Sequence, residues 1–152
     1  MSELRQGVFP APFTAPPVDA TTRPYWQAAL EGRLVQTRCT GCGTFVHPPQ
    51  PVCFSCQGSA FEWQELPGTG RIYSYTVVRH PLHPRLAEVV PYVSAVIELA
   101  GTQGAGARML ANVTDCDPER VRIGDRVRVW FDRVSESLAV PRFEPDPPAR
   151  KR

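Results

Sequence analysis

Four cysteines stand in two pairs, Cys39 with Cys42 and Cys53 with Cys56, each a C-x2-C, with ten residues between the pairs. A C-x2-C pair folds into a tight knuckle on which two thiolates converge, and two knuckles supply the four soft ligands of a closed tetrahedral metal site. Gly43 and Gly58 follow the pairs, where a knuckle needs permissive backbone angles, and Pro48, Pro49 and Pro51 stiffen the loop between them. Disulfides are disfavoured because no export signal precedes the cysteines. Iron in a rubredoxin-like site uses the same ligands. The second knuckle, CFSCQ, lacks the glycine that follows the first, CTGCG, which favours zinc without the ligand set excluding iron. Four thiolates leave no open position for water, so the expected metal folds the protein and does not catalyse. His47, inside the loop, is then structural, and Cys116 in the run DCDP is a small buried or half-buried thiol and not a nucleophile.

Elements that would position this site can be read on either side of it. A short helix is predicted from Arg23 to Glu31, capped by Thr22, with Pro24 in its first turn and Gly32 at a left-handed stop. Trp26 and Leu30 share a face, with Tyr25 and Ala29 beside them, a stripe too short to be stable unless it docks. After the turn Pro67-Gly68-Thr69-Gly70 comes two-residue alternation. In RIYSYTVVRH, Tyr73, Tyr75 and Val77 are expected on one face and Ile72, Thr76 and Val78 on the other. PYVSAVIELA and RMLANVTD read as the next two strands, joined by a GTQGAG turn. A fourth strand carries Val127, Val129 and Phe131 inward, and a fifth runs from Ser137 to Phe143. The fold class is therefore mainly β: an extended arm and docking helix (1–33), a four-cysteine zinc ribbon (34–66), and a five-stranded barrel of the OB type (67–144). A disordered basic tail (145–152) ends in Arg150-Lys151-Arg152.

Composition narrows the function. The 152 residues carry 17 basic and 15 acidic side chains, a net charge of +2 that four thiolates and a divalent ion would bring to zero. Proteins that grip a bare phosphate backbone are usually more basic. No apolar run is long enough to span a membrane and no leader is evident, so the chain reads as cytoplasmic. Among enzyme signatures, HExxH, G-x-S-x-G and phosphate-cradling glycine loops are absent from the sequence, and Asp117 before Pro118 reads as a cap. One polar cluster, RHPLHPR, places Arg79, His80 and Arg85 in a proline-stiffened loop, where guanidinium forks suit phosphate oxygens. Large apolar residues exceed what a ribbon and small barrel can cover. Phe9 and Phe13 (with Val8) on the arm, Tyr25, Trp26 and Leu30 on the helix, and Tyr73 and Tyr75 on the barrel are candidate partner contacts.

Taken in order, the helix with its Trp26, Gly32-Arg33-Leu34, the two C-x2-C pairs, Pro67-Gly68-Thr69-Gly70 with Ile72-Tyr73-Ser74-Tyr75-Thr76, Leu110-Ala111-Asn112-Val113 and Ile123-Gly124 resemble the DUF35 family over Tyr25 to Pro145. The resemblance implies a zinc ribbon with an OB-fold, associated with acyl-CoA metabolism. It implies a small partner subunit of thiolase-superfamily enzymes (thiolases, ketosteroid-type side-chain aldolases, hydroxymethylglutaryl-CoA-forming assemblies) or of hydratases, one that helps assemble the enzyme and contributes to a shared CoA channel. With no second catalytic domain in the sequence, the chain resembles the stand-alone form. Two other classes stay open: a single-stranded nucleic-acid binder that stacks bases on Tyr73 and Tyr75, and a small redox carrier with iron in place of zinc.

Overall fold

The computed structural model describes residues 2–7, 9–10, 16–102 and 107–147. Val8, Phe13, the 103–106 part of the GTQGAG turn and the terminal Arg150-Lys151-Arg152 lie outside the described residues. The elements are β1 (Leu4–Arg5), α1 (Arg23–Leu30), β2 (Val35–Cys39), β3 (Phe45–Val46), β4 (Phe61–Glu65), β5 (Thr69–Val78), β6 (Tyr92–Leu99), β7 (Arg108–Val113), β8 (Arg126–Ser135) and β9 (Leu138–Pro145), with a 3-10 turn at Pro84–Leu86.

Strands β5 to β9 form the closed barrel. β5, β6 and β7 make an antiparallel meander, β7 meets β9 in parallel at Val113 and Phe143, β9 pairs antiparallel with β8, and β8 returns to β5 through Gly70 and Val127. One parallel contact in an otherwise antiparallel five-stranded barrel is the OB-type arrangement that five short strands suggest. Alternation sets the core on β6, β7 and β8: Val93, Ala95, Ile97 and Leu99, Met109, Ala111 and Val113, and Val127, Val129 and Phe131 all point inward. β9 runs past its expected end at Phe143. Pro145 still pairs with Val127, and Asp146 donates its N–H to the Arg126 carbonyl, so the ordered chain reaches into the stretch expected to be tail.

One strand departs from simple alternation. A bulge between Ile72 and Ser74 leaves Tyr73 without a partner on β6, so Ile72, Tyr75 and Val77 oppose the inward-facing Ile97, Ala95 and Val93. An extra residue flips every side chain that follows it. Tyr73 and Tyr75 therefore do not share a face: Tyr75 packs on the core, and Tyr73 stands outside with the Arg108 guanidinium 3.6 Å from its ring centroid.

Closure also needs a small residue on β5. A Cβ at Gly70 would sit 2.6 Å from the Glu98 carbonyl oxygen and 2.8 Å from Ile97 Cγ2, so the backbone of β6 would have to move. Gly70→Ala is expected to lose about 1–3 kcal/mol of stability. Urea unfolding measures it, and an unchanged midpoint would show that β5 and β6 separate easily at this point.

The arm and helix attach to this barrel. β1 adds to β8 in parallel (Leu4 opposite Phe131, Arg5 opposite Asp132), Phe9 meets Tyr92 edge-on at 5.4 Å, and the Arg142 guanidinium lies 4.3 Å from the Phe9 ring centroid. α1 packs against β9 and β2. Thr22 makes no side-chain cap for it. Asp19 Oδ1 accepts from the N–H groups of Thr21 and Thr22 instead, ordering the turn that leads into the helix. The expected stop does form: Gly32 has φ of 72°, Gly32 N–H donates to Ala29 and Arg33 N–H to Ala28, a Schellman end. Ala29 of the helix, Leu34, Phe45 and Leu66 join the barrel residues in one apolar core, so the ribbon's base and the barrel's end are a common interior. Among the described residues no helix is long and apolar enough to cross a membrane.

Candidate functional site

The ribbon is a three-stranded sheet in the order β3-β2-β4. Cys39 ends β2, Cys42 lies in the turn to β3, and Cys53 and Cys56 lie in the loop that leads to β4. Each knuckle is closed by backbone: Gly43 N–H donates to the Cys39 carbonyl (2.8 Å), and Gln57 N–H to the Cys53 carbonyl (2.9 Å). Gly43 and Gln57 occupy equivalent left-handed positions, φ of 75° and 62°. Gly58 was expected to supply that freedom, but Gln57 does so, at the strain a side chain carries there. Gly58 instead leaves room, since a Cβ on it would stand 3.2 Å from Cys56 Sγ. The missing glycine in CFSCQ thus does not separate zinc from iron, because the backbone adopts the same turn without it.

All four sulfurs lie within 4.8 Å of one another, with Cys39 to Cys56 at 3.5 Å and Cys42 to Cys53 at 3.7 Å. No pair is disulfide-bonded. Zn–S bonds of about 2.3 Å in a tetrahedron place sulfurs about 3.8 Å apart, so the residues present fit a zinc ion. The neighbouring thiols differ in how readily they lose a proton. Cys42 is drawn down to about 6 by the Thr44 hydroxyl, 3.2 Å from its sulfur, and by the Thr44 N–H. Cys56 gains from the Gly58 N–H, yet the neighbouring Cys39 and Cys42 sulfurs outweigh this and push it up to about 12. Four thiolates so close together need a divalent ion among them. Thr44, whose hydroxyl and N–H both serve Cys42, was not singled out in the sequence; a hydroxyl two residues past the second cysteine of a knuckle is the signal for it. His47 stays outside the cluster, as expected: its Nδ1 is 2.9 Å from Gln36 Oε1, and it lies beside Tyr25.

The remaining candidates are scattered. Arg79, His80 and Arg85 lie on the exposed loop after β5, where Arg79 is ion-paired with Glu119 and His83 Nδ1 accepts from Arg85 N–H. Of the apolar set, Tyr25 is buried with Ala28 and Val35, Tyr75 turns inward, and Phe9 lies on its own barrel. Trp26 and Leu30 are half-buried at the helix surface, and Tyr73 is exposed. Cys116 is half-buried, and burial, then Asp115, Asp117 and Asp125, raise its pKa, the reverse of what activates a thiol.

Comparison with known proteins adds to this geometry. The model for the ChsH2 rubredoxin-like zinc ribbon domain matches residues 26–62, and the model for the ChsH2 C-terminal OB-fold domain matches residues 63–132. A chain of a solved structure described as the Ltp2-ChsH2(DUF35) aldolase superimposes with a TM-score of 0.74 at 35% identity, over 86% of this chain and 98% of that one. A probable enoyl-CoA hydratase alpha subunit of Thermomonospora curvata is 38% identical over 82% of this chain, which spans 37% of that protein's length. A DUF35 domain-containing scaffold protein of Methanothermobacter thermautotrophicus is 32% identical over 76% of this chain and 84% of its own length.

Proposed function

As the chain belongs to the DUF35 family of zinc-ribbon and OB-fold proteins, we propose that it is a non-catalytic partner subunit of a thiolase-superfamily enzyme (a thiolase, aldolase or synthase) that acts on CoA thioesters. In this reading Cys39, Cys42, Cys53 and Cys56 hold a structural zinc, and the subunit helps to form the enzyme's CoA channel within a hetero-oligomer. The observation that carries it is the likeness to the aldolase-associated DUF35 chain, which extends over 98% of that chain.

The residues support the reading. The thiol cluster leaves a bound metal no open position, and Cys116 is held protonated, so neither offers an activated nucleophile. The exposed loop of Arg79, His80 and Arg85 is the proposed contact for CoA phosphates, with Glu119 giving up Arg79 to the phosphate. Trp26 and Leu30 are the helix residues left for the enzyme. Nucleic-acid binding is not favoured: with Tyr75 turned inward and Arg108 over Tyr73, the two rings do not form a base-stacking face.

Recovery of the tagged, metal-loaded chain from native extract, with mass spectrometry of its partner and assay of acyl-CoA turnover, tests the proposal. A thiolase-superfamily enzyme in fixed stoichiometry is expected, with the isolated chain leaving acyl-CoA unchanged. Turnover by the pure chain that is lost in Cys116→Ala or Asp117→Ala would overturn it. So would steeply salt-dependent binding to single strands with no enzyme partner.

A further inference from the structure

A cleft of about 290 Å³ opens where the helix, the ribbon loop and the barrel meet. Tyr25 and Trp26 of α1, His47 and Pro49 of the loop after β3, Leu110 of β7 and Pro141 of β9 are among its walls, and no charged side chain lines it. Its volume is at the small end of ligand pockets, and its lining of rings and aliphatic groups with few polar atoms is typical of them.

Those polar atoms are specific. His47 Nδ1 is 2.9 Å from Gln36 Oε1, and with the amide in this orientation, which leaves Gln36 Nε2 without a partner, Nδ1 donates the ring proton and Nε2 is the acceptor. Gln36 is fully buried, so the imidazole's orientation is fixed from behind. Nε2 has no partner among the described residues, and neither has the hydroxyl of Tyr25, whose ring centroid is 5.9 Å from that of His47. An acceptor and a donor thus belong to neighbouring rings of one apolar concavity, neither of them bonded among the described residues and both open to solvent. A hydroxyl is the group that satisfies both.

We propose that this cleft is a binding site for an uncharged alcohol or phenol with an apolar body, its hydroxyl donating to His47 Nε2 and accepting from the Tyr25 hydroxyl. Both protein groups are neutral near pH 7, since burial drives His47 down to about 4 and raises the pKa of Tyr25. An anion would therefore meet no counter-charge in the cleft and would lose its hydration on entry. Every wall residue belongs to this chain, so the isolated full-length chain with its metal suffices for the test.

The probe is para-propylphenol, compared with para-propylanisole, which keeps the acceptor oxygen but lacks the donor, and with the anion para-propylbenzoate. Chemical shifts of the His47 ring and the Leu110 methyls report occupancy. Saturable binding of the phenol with Kd of about 1 mM or tighter is expected, with the ether at least about fivefold weaker and the benzoate without effect. Tyr25→Phe, which removes only a hydroxyl without a partner among the described residues, should weaken phenol and ether alike, about fivefold, because both keep the acceptor oxygen, whereas His47→Phe should weaken the phenol about fivefold and leave the ether unchanged. Leu110→Arg, at an exposed position on the rim, should weaken both. Absence of saturable shifts, equal affinity for phenol and ether, or wild-type phenol affinity in Tyr25→Phe overturns the proposal; if His47→Phe fails to fold, Tyr25→Phe decides alone.

Discussion

Cys53→Ser is expected to release the metal and, with it, to unfold the ribbon from Leu34 to Leu66. The free energy of a four-thiolate zinc site is on the order of 10 kcal/mol, and in a module this small it is the folding free energy itself. The apolar cluster at the site consists of Cys39, Val46 and Cys53 with Phe61 beside them, so without metal the knuckles retain almost nothing to bury. Position within the site grades the effect. Cys39 and Cys53 are buried whereas Cys42 and Cys56 are exposed, so serine at the first two also buries a hydroxyl that lacks a metal partner. Cys39→Ser and Cys53→Ser should therefore be more severe than Cys42→Ser and Cys56→Ser. The damage should spread only as far as the shared interior: Leu34, Phe45 and Leu66 leave the core, while β6 and β7 keep their ladder. Metal analysis and amide hydrogen exchange decide it. The wild type should hold about one equivalent of metal, and β2 and β4 should lose protection in the variant while β6 and β7 keep theirs. A Cys53→Ser protein that retains its metal and wild-type exchange in β2 and β4 would refute the assignment.

What was legible in the sequence was local, or repeated along a strand. C-x2-C is complete within four residues, and Gly32 announces its stop through its own backbone freedom. The alternation of Val93, Ala95, Ile97 and Leu99 is a property of one strand, and all four prove buried. Features that depend on a partner distant in the chain were not legible. The bulge at Tyr73 exists because β6 offers no residue opposite it, which RIYSYTVV alone does not disclose. The arm reads as unpaired because its partner β8 lies more than a hundred residues away, and the pairing covers only Leu4 and Arg5. That Arg79 is ion-paired with Glu119, forty positions later, and must exchange that partner to hold a phosphate, is not written in RHPLHPR. The Tyr25 and His47 cleft is of the same kind: four separate elements build it, and none contains its pattern.

The arm's attachment rests on a charge pair that the barrel buries, and removing half of that pair is the second large effect to expect. Asp132 on β8 is 1% exposed. Its Oδ1 accepts from Gly7 N–H at 2.8 Å and its Oδ2 from Arg142 Nε at 3.1 Å, while Arg142 also donates to Asn112 Oδ1. Gly7 can approach so closely because it has no side chain: a Cβ there would stand 2.7 Å from the Trp130 ring and 2.9 Å from Asp132 Oδ2. Burial lowers the pKa of Arg142, and the charge of Asp132 is what opposes that loss. Asp132→Ala therefore leaves a guanidinium, only 11% exposed, without its counter-ion, and an arm amide without its acceptor. The expected cost is about 3–5 kcal/mol, because an uncompensated buried charge is far worse than a matched apolar pair. Asp132→Leu combined with Arg142→Met should recover most of the stability but not the arm's anchor at Gly7. Urea unfolding would separate the single from the double variant, and proteolysis at the Arg5-Gln6 bond would report the arm. If Asp132→Ala costs less than about 1 kcal/mol and the arm remains protected, the β1–β8 pairing and the Arg5 contacts to Trp130, Asp115 and Glu144 hold the arm by themselves.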